Sequence, residues 1–325
     1  MRRVFTGIAT GVALAALIGS AAACGSSGGS GGDTDADGVD QVKVGVIPIV
    51  DVAPIYLGQQ KGFFKNRNIE LTMESGQGGA AIVPGVVSGQ FQFGFSNFTS
   101  LLLAQTKNVP IKTVANGVAS TGEQGKDFGA VMVKKDSPIK TAADLAGKKV
   151  SVNTLKNIGD TTVRESVRKA GGDPKNINFV EVPFANAPAA LEEGQVDAVW
   201  VVEPSLTQVK AAGGRMVASN YVDAAPNLSV AAYFTSAKLA GEDADLVNRF
   251  TEAINESLTY ADGHPDEVRA VLGSYTKIDE KTRADLTLPK WPVEINKESV
   301  DTLAKLGAQD GIFDGATPDV AKLLP

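Results

Sequence analysis

Polar and apolar positions alternate in short blocks along most of this chain, with a strand-like period of two giving way to a helical period of 3.6 and back again. Residues 42–48 alternate as a strand, and 53–65 carry apolar residues at helical spacing, with Pro54 tolerated in a first turn. The same reading predicts strands over 69–74, 91–95 and 111–118, and helices over 79–88 and 99–105. The rhythm restarts with strands at 148–152, 177–182 and 197–201 and helices at 160–170, 187–193 and 204–212. Beyond Ser236 the pattern is almost wholly helical. Strands that alternate with helices predict an α/β architecture.

Two stretches in this rhythm are alike. Ser88-Gly89-Gln90-Phe91-Gln92-Phe93-Gly94 and Glu193-Gly194-Gln195-Val196-Asp197-Ala198-Val199 each read as a helix stopped by glycine, then a short strand, then a turn into another helix, at an offset of 105 residues. One supersecondary unit used once in each of two lobes would explain both, as would the helix-glycine-strand units common to any α/β protein.

The first 40 residues do not fit the rhythm. Arg2 and Arg3 precede an apolar run from Ile8 to Ala23, and Ala21, Ala22 and Ala23 lead into Cys24, the only cysteine in the chain. That is the form of an export signal with its cleavage site. It resembles a bacterial lipoprotein signal, with Ala21 where the usual motif has Leu, and the resemblance implies that Cys24 is lipidated and becomes the first mature residue. Residues 25–40 are Gly-, Ser- and Asp-rich and are expected to be a flexible tether. The ~285 residues that follow suit one large or two small domains. Loss of residues 1–23 leaves 29 Lys and Arg against 37 Asp and Glu, a net charge of −8. With no basic stripe to follow phosphates, nucleic acid is not an expected partner. No later segment has the length of apolar residues that crosses a bilayer, and one cysteine excludes an intramolecular disulfide.

Several ordered motifs then resemble one family, the extracytoplasmic substrate-binding proteins of nitrate-, sulfonate- and taurine-type ABC importers, whose relatives bind thiamine pyrimidine precursors and aromatic acids. Ala53-Pro54-Ile55-Tyr56-Leu57 through Lys61-Gly62-Phe63-Phe64 is similar to the family's opening helix, and Ile69-Glu70-Leu71 to its second strand. Gly89-Gln90-Phe91-Gln92-Phe93-Gly94 follows, with Gln92 where the family more often has Asp. Thr141-Ala142-Ala143-Asp144-Leu145-Ala146-Gly147-Lys148, Gly194-Gln195-Val196-Asp197-Ala198 and Glu203-Pro204 complete the series. The resemblance runs from about Val42 to about Ala261 and implies the two-lobed type II periplasmic-binding-protein fold, each lobe a mixed sheet flanked by helices, with ligand in the cleft between lobes and closure by hinge motion. It places lobe one at 41–129 plus 231–325 and lobe two at 130–230, with crossings near 128–134 and 228–235. It also implies an ABC permease with its ATPase as partner, a position outside the cell membrane, and a monomer tethered by its lipid. A sensory binding protein is the alternative within the same fold.

Ligands of such sheets sit at the carboxyl ends of the strands. In lobe one the corresponding loops carry Asp51 and Val52, Gln77 and Gly78, and Ser96, Asn97 and Phe98. In lobe two they carry Asn157, Gly159, Asp160 and Thr161, then Phe184 and Asn186, then Trp200 and Glu203. Three of these loops open helices, whose free N–H groups accept a carboxylate, sulfonate or nitrate without a cationic side chain. The same polar residues are also ordinary helix caps, and the aromatics are ordinary core. Phe98, Phe184 and Trp200 pointing into the cleft would suit a planar ligand, so a pyrimidine- or flavin-type heterocycle is the alternative to a small organic anion. No Arg lies in these loops, and Lys156 is the nearest cation, an arrangement poorly matched to a strongly hydrated dianion.

An enzyme has little support. The only histidine, His264, falls in a polar turn of the terminal helical region, away from the strand-end loops, and with Cys24 lipidated no thiol nucleophile remains. No His, Cys and carboxylate cluster has metal-ligand spacing, and no glycine-rich phosphate loop opens a helix. Neither metal nor cofactor is expected.

Overall fold

The computed structural model describes residues 33–34 and 38–325. The signal segment, Cys24 and residues 25–32 and 35–37 of the expected tether lie outside the described residues. Within that tether Asp33–Thr34 forms a two-residue strand, β1, paired antiparallel with Asp40 and Gln41. Main-chain pairing needs no apolar side chains, so composition gave no sign of it.

The remaining strands are β2 (Asp40–Val46), β3 (Ile69–Ser75), β4 (Phe93–Asn97), β5 (Ile111–Ala119), β6 (Gly129–Val133), β7 (Lys149–Val152), β8 (Asn178–Glu181), β9 (Ala198–Val202), β10 (Arg215–Ala218) and β11 (Ser229–Ser236). They form two mixed sheets flanked by helices, one in the order β3-β2-β4-β11-β5 with β1 added beside β2, the other in the order β8-β7-β9-β6-β10. In each, the first three strands are parallel and the fourth is antiparallel to both neighbours. That fourth strand arrives from the other sheet, since β6 follows β5 and β11 follows β10. The expected crossings at 128–134 and 228–235 are therefore mostly sheet strands themselves, and the linking residues are 120–128 and 219–228. A buried apolar run reads alike in sequence whether it bridges two sheets or pairs within one. The linkers are tied together: Gln124 donates to Asp223 at 2.7 Å, and Gly125 N donates to the Ser219 hydroxyl at 2.8 Å.

The repeat in the sequence is a repeat in space. Gly89 and Gly194 have φ of +81° and +71°, the left-handed conformation that ends a helix and that glycine adopts without steric cost. Gln92 Oε1 then accepts from Lys43 N at 2.8 Å, and Asp197 Oδ2 accepts from Lys149 N at 2.8 Å, each pinning its strand to the neighbouring parallel one. Gln92 thus does in one sheet what the acid does in the other.

The helices used below are α1 (Ala53–Lys61), α2 (Gly79–Val87), α3 (Phe98–Thr106), α4 (Ile158–Lys169), α5 (Ala187–Glu192), α6 (Ser205–Ala211), α7 (Asn220–Ala224), α8 (Ala237–Glu242), α9 (Ala244–Gly263), α10 (Pro265–Tyr275), α11 (Glu280–Asp285) and α12 (Lys297–Gln309). Helix α9 buries Leu246, Phe250, Ala253, Ile254, Ser257, Leu258 and Ala261, a stripe at helical spacing. Phe250 stacks on Phe93 with ring centroids 3.7 Å apart, fixing the terminal helices to the first sheet. One extended core joins both sheets, and a smaller one built on Met132, Leu191, Val199 and Leu206 fills the other face of the second sheet.

Candidate functional site

Because β2, β3 and β4 are parallel in one sheet and β7, β8 and β9 in the other, their carboxyl ends present loops that face one another. Those loops touch directly. Asn153 Nδ2 donates to Gln77 O at 3.1 Å, and Val50 N donates to Glu203 O at 3.1 Å. Between them lies a cavity of about 470 Å³ lined by Ile47, Ile49, Gln77, Phe184, Gln208, Tyr275 and Lys277 among others. That volume is in the range of small-molecule sites.

The polar residues singled out from sequence have mostly local partners. Asn97 caps α3, its Oδ1 accepting from Ser100 N at 2.9 Å, and the Ser96 hydroxyl donates to Asn97 O at 3.3 Å. Asn157 caps α4, accepting from Gly159 N at 2.8 Å and Asp160 N at 3.3 Å while its Nδ2 donates to Asn153 Oδ1 at 2.6 Å. Thr161 Oγ1 donates to Asn157 O at 3.1 Å. Val52 and Phe98 are packed in the core of the first sheet. Gly78 packs against Thr154 of the facing loop. Gln77 is exposed on the cavity wall, and Asn186 is exposed ahead of α5.

Glu203 has no solvent exposure, and its carboxylate is fully engaged. Oε1 accepts from the Thr207 hydroxyl at 2.9 Å and from Thr287 N at 3.1 Å, and Oε2 accepts from Thr207 N at 2.9 Å. Burial raises its pKa, and these hydrogen bonds oppose the rise. It is a clasp between the start of α6 and the segment after α11. Lys156, the cation nearest the loops, is paired with Asp314 at 2.5 Å, and Arg168 with Asp310 at 2.6 Å. The pairs join the loop before α4, and α4 itself, to the end of α12 and the turn that follows.

Among the buried polar atoms without a partner are Asp51 Oδ1, Asp160 Oδ1, Trp200 Nε1 and the Tyr233 hydroxyl. Burial pushes the Asp51 carboxyl up to about 7, with the nearby Asp127 adding to the rise and Asp51's own backbone N–H opposing it. Burial also pushes Asp160 up to about 7, against the Lys156 N–H and the Arg164 charge. Tyr221, Tyr233 and Tyr275 are all raised well above the usual phenol value, first by burial and then by neighbouring negative groups that include Asp51 in every case. Trp200 is wedged between Phe184, edge-on at 5.1 Å, and Tyr221, edge-on at 6.1 Å. A Cβ on Gly159 would lie 2.3 Å from the indole, so only glycine lets α4 come this close.

Sequence reasoning missed Tyr221, Tyr233, Tyr275 and Lys277. Tyr233 carried the one visible signal, a phenol in the otherwise apolar run Val230-Ala231-Ala232-Tyr233-Phe234. The others converge only through the fold. Among the described residues no three His, Cys, Asp or Glu side chains gather as a metal site.

Residues 49–268 match the family described as NMT1/THI5 like. A putative thiamine biosynthesis protein of Haemophilus influenzae is 24% identical over 284 residues, covering 82% of this chain and 85% of its own. The alkanesulfonate-binding protein SsuA of Xanthomonas axonopodis pv. citri, solved with MOPS bound, has a TM-score of 0.70 at 17% identity, covering 88% of this chain and 98% of its own. The periplasmic nitrate-binding protein NrtA of Synechocystis PCC 6803 has a TM-score of 0.72 at 16% identity, covering 88% and 86%. These likenesses carry the fold, the two-lobed binding-protein architecture that the ordered motifs implied.

Proposed function

Since this chain belongs to the NMT1/THI5-like family, we propose that it is the extracytoplasmic solute-binding component of an ABC importer, holding a small organic anion of sulfonate, nitrate or aromatic carboxylate type by closure of two lobes. The observation that carries this reading is the cavity of about 470 Å³ enclosed by strand-end loops of two like sheets. Names of the relatives point the same way, two of them binding sulfonate and nitrate. The lobes that move are 41–129 with 231–325 against 130–230, turning about the tied linkers. Gln77, Gln208 and Lys277 supply the polar wall, and Phe184 and Tyr275 the flat one, with Trp200 packed edge-on behind Phe184. The chain is held outside the membrane by lipid on Cys24, acts as a monomer, and delivers its ligand to a permease with its ATPase. Binding, not catalysis, is its role: His264, the one histidine of the chain, sits in the turn between α9 and α10 and does not line the cavity.

A pyrimidine- or flavin-type heterocycle is the second reading, favoured by the Phe184 and Tyr275 rings on the cavity wall. A test for both is thermal unfolding of residues 33–325 against taurine, alkanesulfonates, nitrate, benzoates, phthalates, pyrimidines and a flavin. A ligand at ~100 times its dissociation constant adds ~2.7 kcal/mol, a rise of several degrees. No rise with any member counts against a solute-binding role.

A further inference from the structure

Among the described residues on the wall of the cavity between the sheets, Lys277 is the one that carries a formal charge, and no Asp, Glu, Arg or His stands with it. Its ammonium makes no ion pair among the described residues. The nearest acid in sequence, Asp279, is engaged as the cap of α11, its Oδ1 accepting from Thr282 N at 2.7 Å. The chain as a whole has an excess of acid, 37 Asp and Glu against 31 Lys and Arg. A cation left alone on a cavity wall in such a protein lacks a counter-charge, and a bound ligand can supply it.

The main chain that carries Lys277 is fixed on both sides. Before it, the Tyr275 hydroxyl donates to Ile49 O at 3.0 Å while its ring stacks on Tyr56 at 4.0 Å, and Thr276 N donates to Leu272 O at 2.9 Å. After it, Ile278 packs against the core, and its carbonyl accepts from the Arg283 guanidinium at 3.3 Å. Lys277 itself is exposed, so a positioned backbone presents an ammonium on a flexible stem. The rest of the wall sets what fits beside that charge. Ile47, Ile49, Phe184, Tyr275 and Ile278 make much of it apolar, and Gln77 and Gln208 add neutral amides. Nitrate would fill a small part of about 470 Å³ and leave the apolar wall in water. A zwitterion such as taurine brings an ammonium that meets no carboxylate there, and a dianion brings a second charge without a partner.

We propose that Lys277 is the specificity-determining charge of this site and selects a singly charged carboxylate or sulfonate with an apolar body, the anionic group at its ammonium and the body against Phe184, Tyr275 and the isoleucines. The inference rests on the solute-binding reading above and narrows its ligand class: bare anions, zwitterions and dianions fall outside it. A charge-assisted hydrogen bond forms with the acid and not with its neutral isostere, which is what separates the two.

Calorimetry on the mature chain with matched probes tests this: benzoate against benzamide, its neutral isostere, and phthalate, its dianionic analogue, and hexanesulfonate against taurine and nitrate. Benzoate should bind about tenfold or more tighter than benzamide and phthalate, or hexanesulfonate about tenfold or more tighter than taurine and nitrate. Lys277→Met, which keeps the apolar stem, should weaken the preferred anion by about tenfold or more and reduce the salt dependence of its binding. Lys277→Arg, which keeps the charge, should recover most of that loss. Thermal unfolding of Lys277→Met reports whether the variant is folded, and the comparison among probes on the unaltered chain needs no variant. Equal affinity for benzoate and benzamide and for hexanesulfonate and taurine overturns the inference and leaves the solute-binding reading standing. So does tightest binding of nitrate or phthalate, or a preferred anion unaffected by Lys277→Met. Binding of none of these probes by a chain that another solute of the panel above stabilises also overturns the inference alone, whereas no response to any solute counts against both.

Discussion

Glu203→Gln isolates the clasp that joins the two sides of the cleft. The amide keeps the shape of the carboxylate but replaces one acceptor oxygen by a donor. Oε1 serves both Thr287 N at 3.1 Å and the Thr207 hydroxyl at 2.9 Å, and Oε2 serves Thr207 N at 2.9 Å. The hydroxyl can turn to accept from the new NH2 group, whereas a backbone N–H cannot, so one of the two amides loses its acceptor in a site without solvent. A buried donor left unmet costs about 1–3 kcal/mol, which is roughly 5- to 150-fold in an equilibrium constant. If Thr287 N is the loser, the cost falls on closure, and the dissociation constant of the ligand rises by that factor with a nearly unchanged melting curve. If Thr207 N is the loser, the start of α6 weakens, and the thermal midpoint falls instead. Calorimetry and thermal unfolding on the same sample separate the two. Affinity within twofold of the parent and a midpoint within a degree would refute the clasp.

Three further outcomes follow from buried groups and ion pairs. Trp200→Phe, which removes the indole N–H and keeps a ring against Phe184 and Tyr221, should change folding stability by no more than about 1.5 kcal/mol, whereas Trp200→Ala should cost about 3–5 kcal/mol of folding stability in urea, because the indole is core packed behind Phe184. Asp51 and Asp160 have pKa values raised from 3.8 to about 7, so each favours the fold fully below pH ~3.8 and loses that contribution as pH rises to about 7, with a ceiling near 4 kcal/mol per group. The calorimetric midpoint should therefore fall between pH 5 and pH 8, and Asp51→Asn with Asp160→Asn should flatten the profile; a midpoint that climbs over that range contradicts the burial of both carboxyls. Arg168→Met removes a pair whose Asp310 side chain is 4% exposed and should lower stability by about 1–3 kcal/mol, while Asp314→Asn, at the exposed Lys156 pair, should change it by under about 1 kcal/mol; equal effects in urea unfolding would contradict the difference in burial.

What was legible in the sequence is what local physics dictates. Strand and helix positions follow from apolar period, and the paired Gly89 and Gly194 units follow from helix-end chemistry, including Gln92 standing where Asp197 stands in the other sheet. Asn97 and Asn157 show the limit of the same logic. A polar residue before a helix is favoured there with or without a ligand, and in the structure both side chains serve the helix N-termini. Glu203 was read as a strand-end candidate, but its clasp could not be, because its decisive partner, Thr287, lies 84 residues away in an irregular stretch. Likewise Tyr56 and Tyr275, stacked at 4.0 Å, and the Trp291 indole that holds the Asp51 carbonyl belong to segments with no local mark of function. The sites of strand-end loops were predictable from topology; which side chains remain unsatisfied there required the packing of the whole molecule.

The central claim is that two lobes close over a ligand. Small-angle scattering of the mature chain, with and without the probe that gives the largest thermal shift, tests it most directly. The account predicts a smaller radius of gyration with ligand than without; a profile unchanged by a ligand that calorimetry shows to be bound would contradict it.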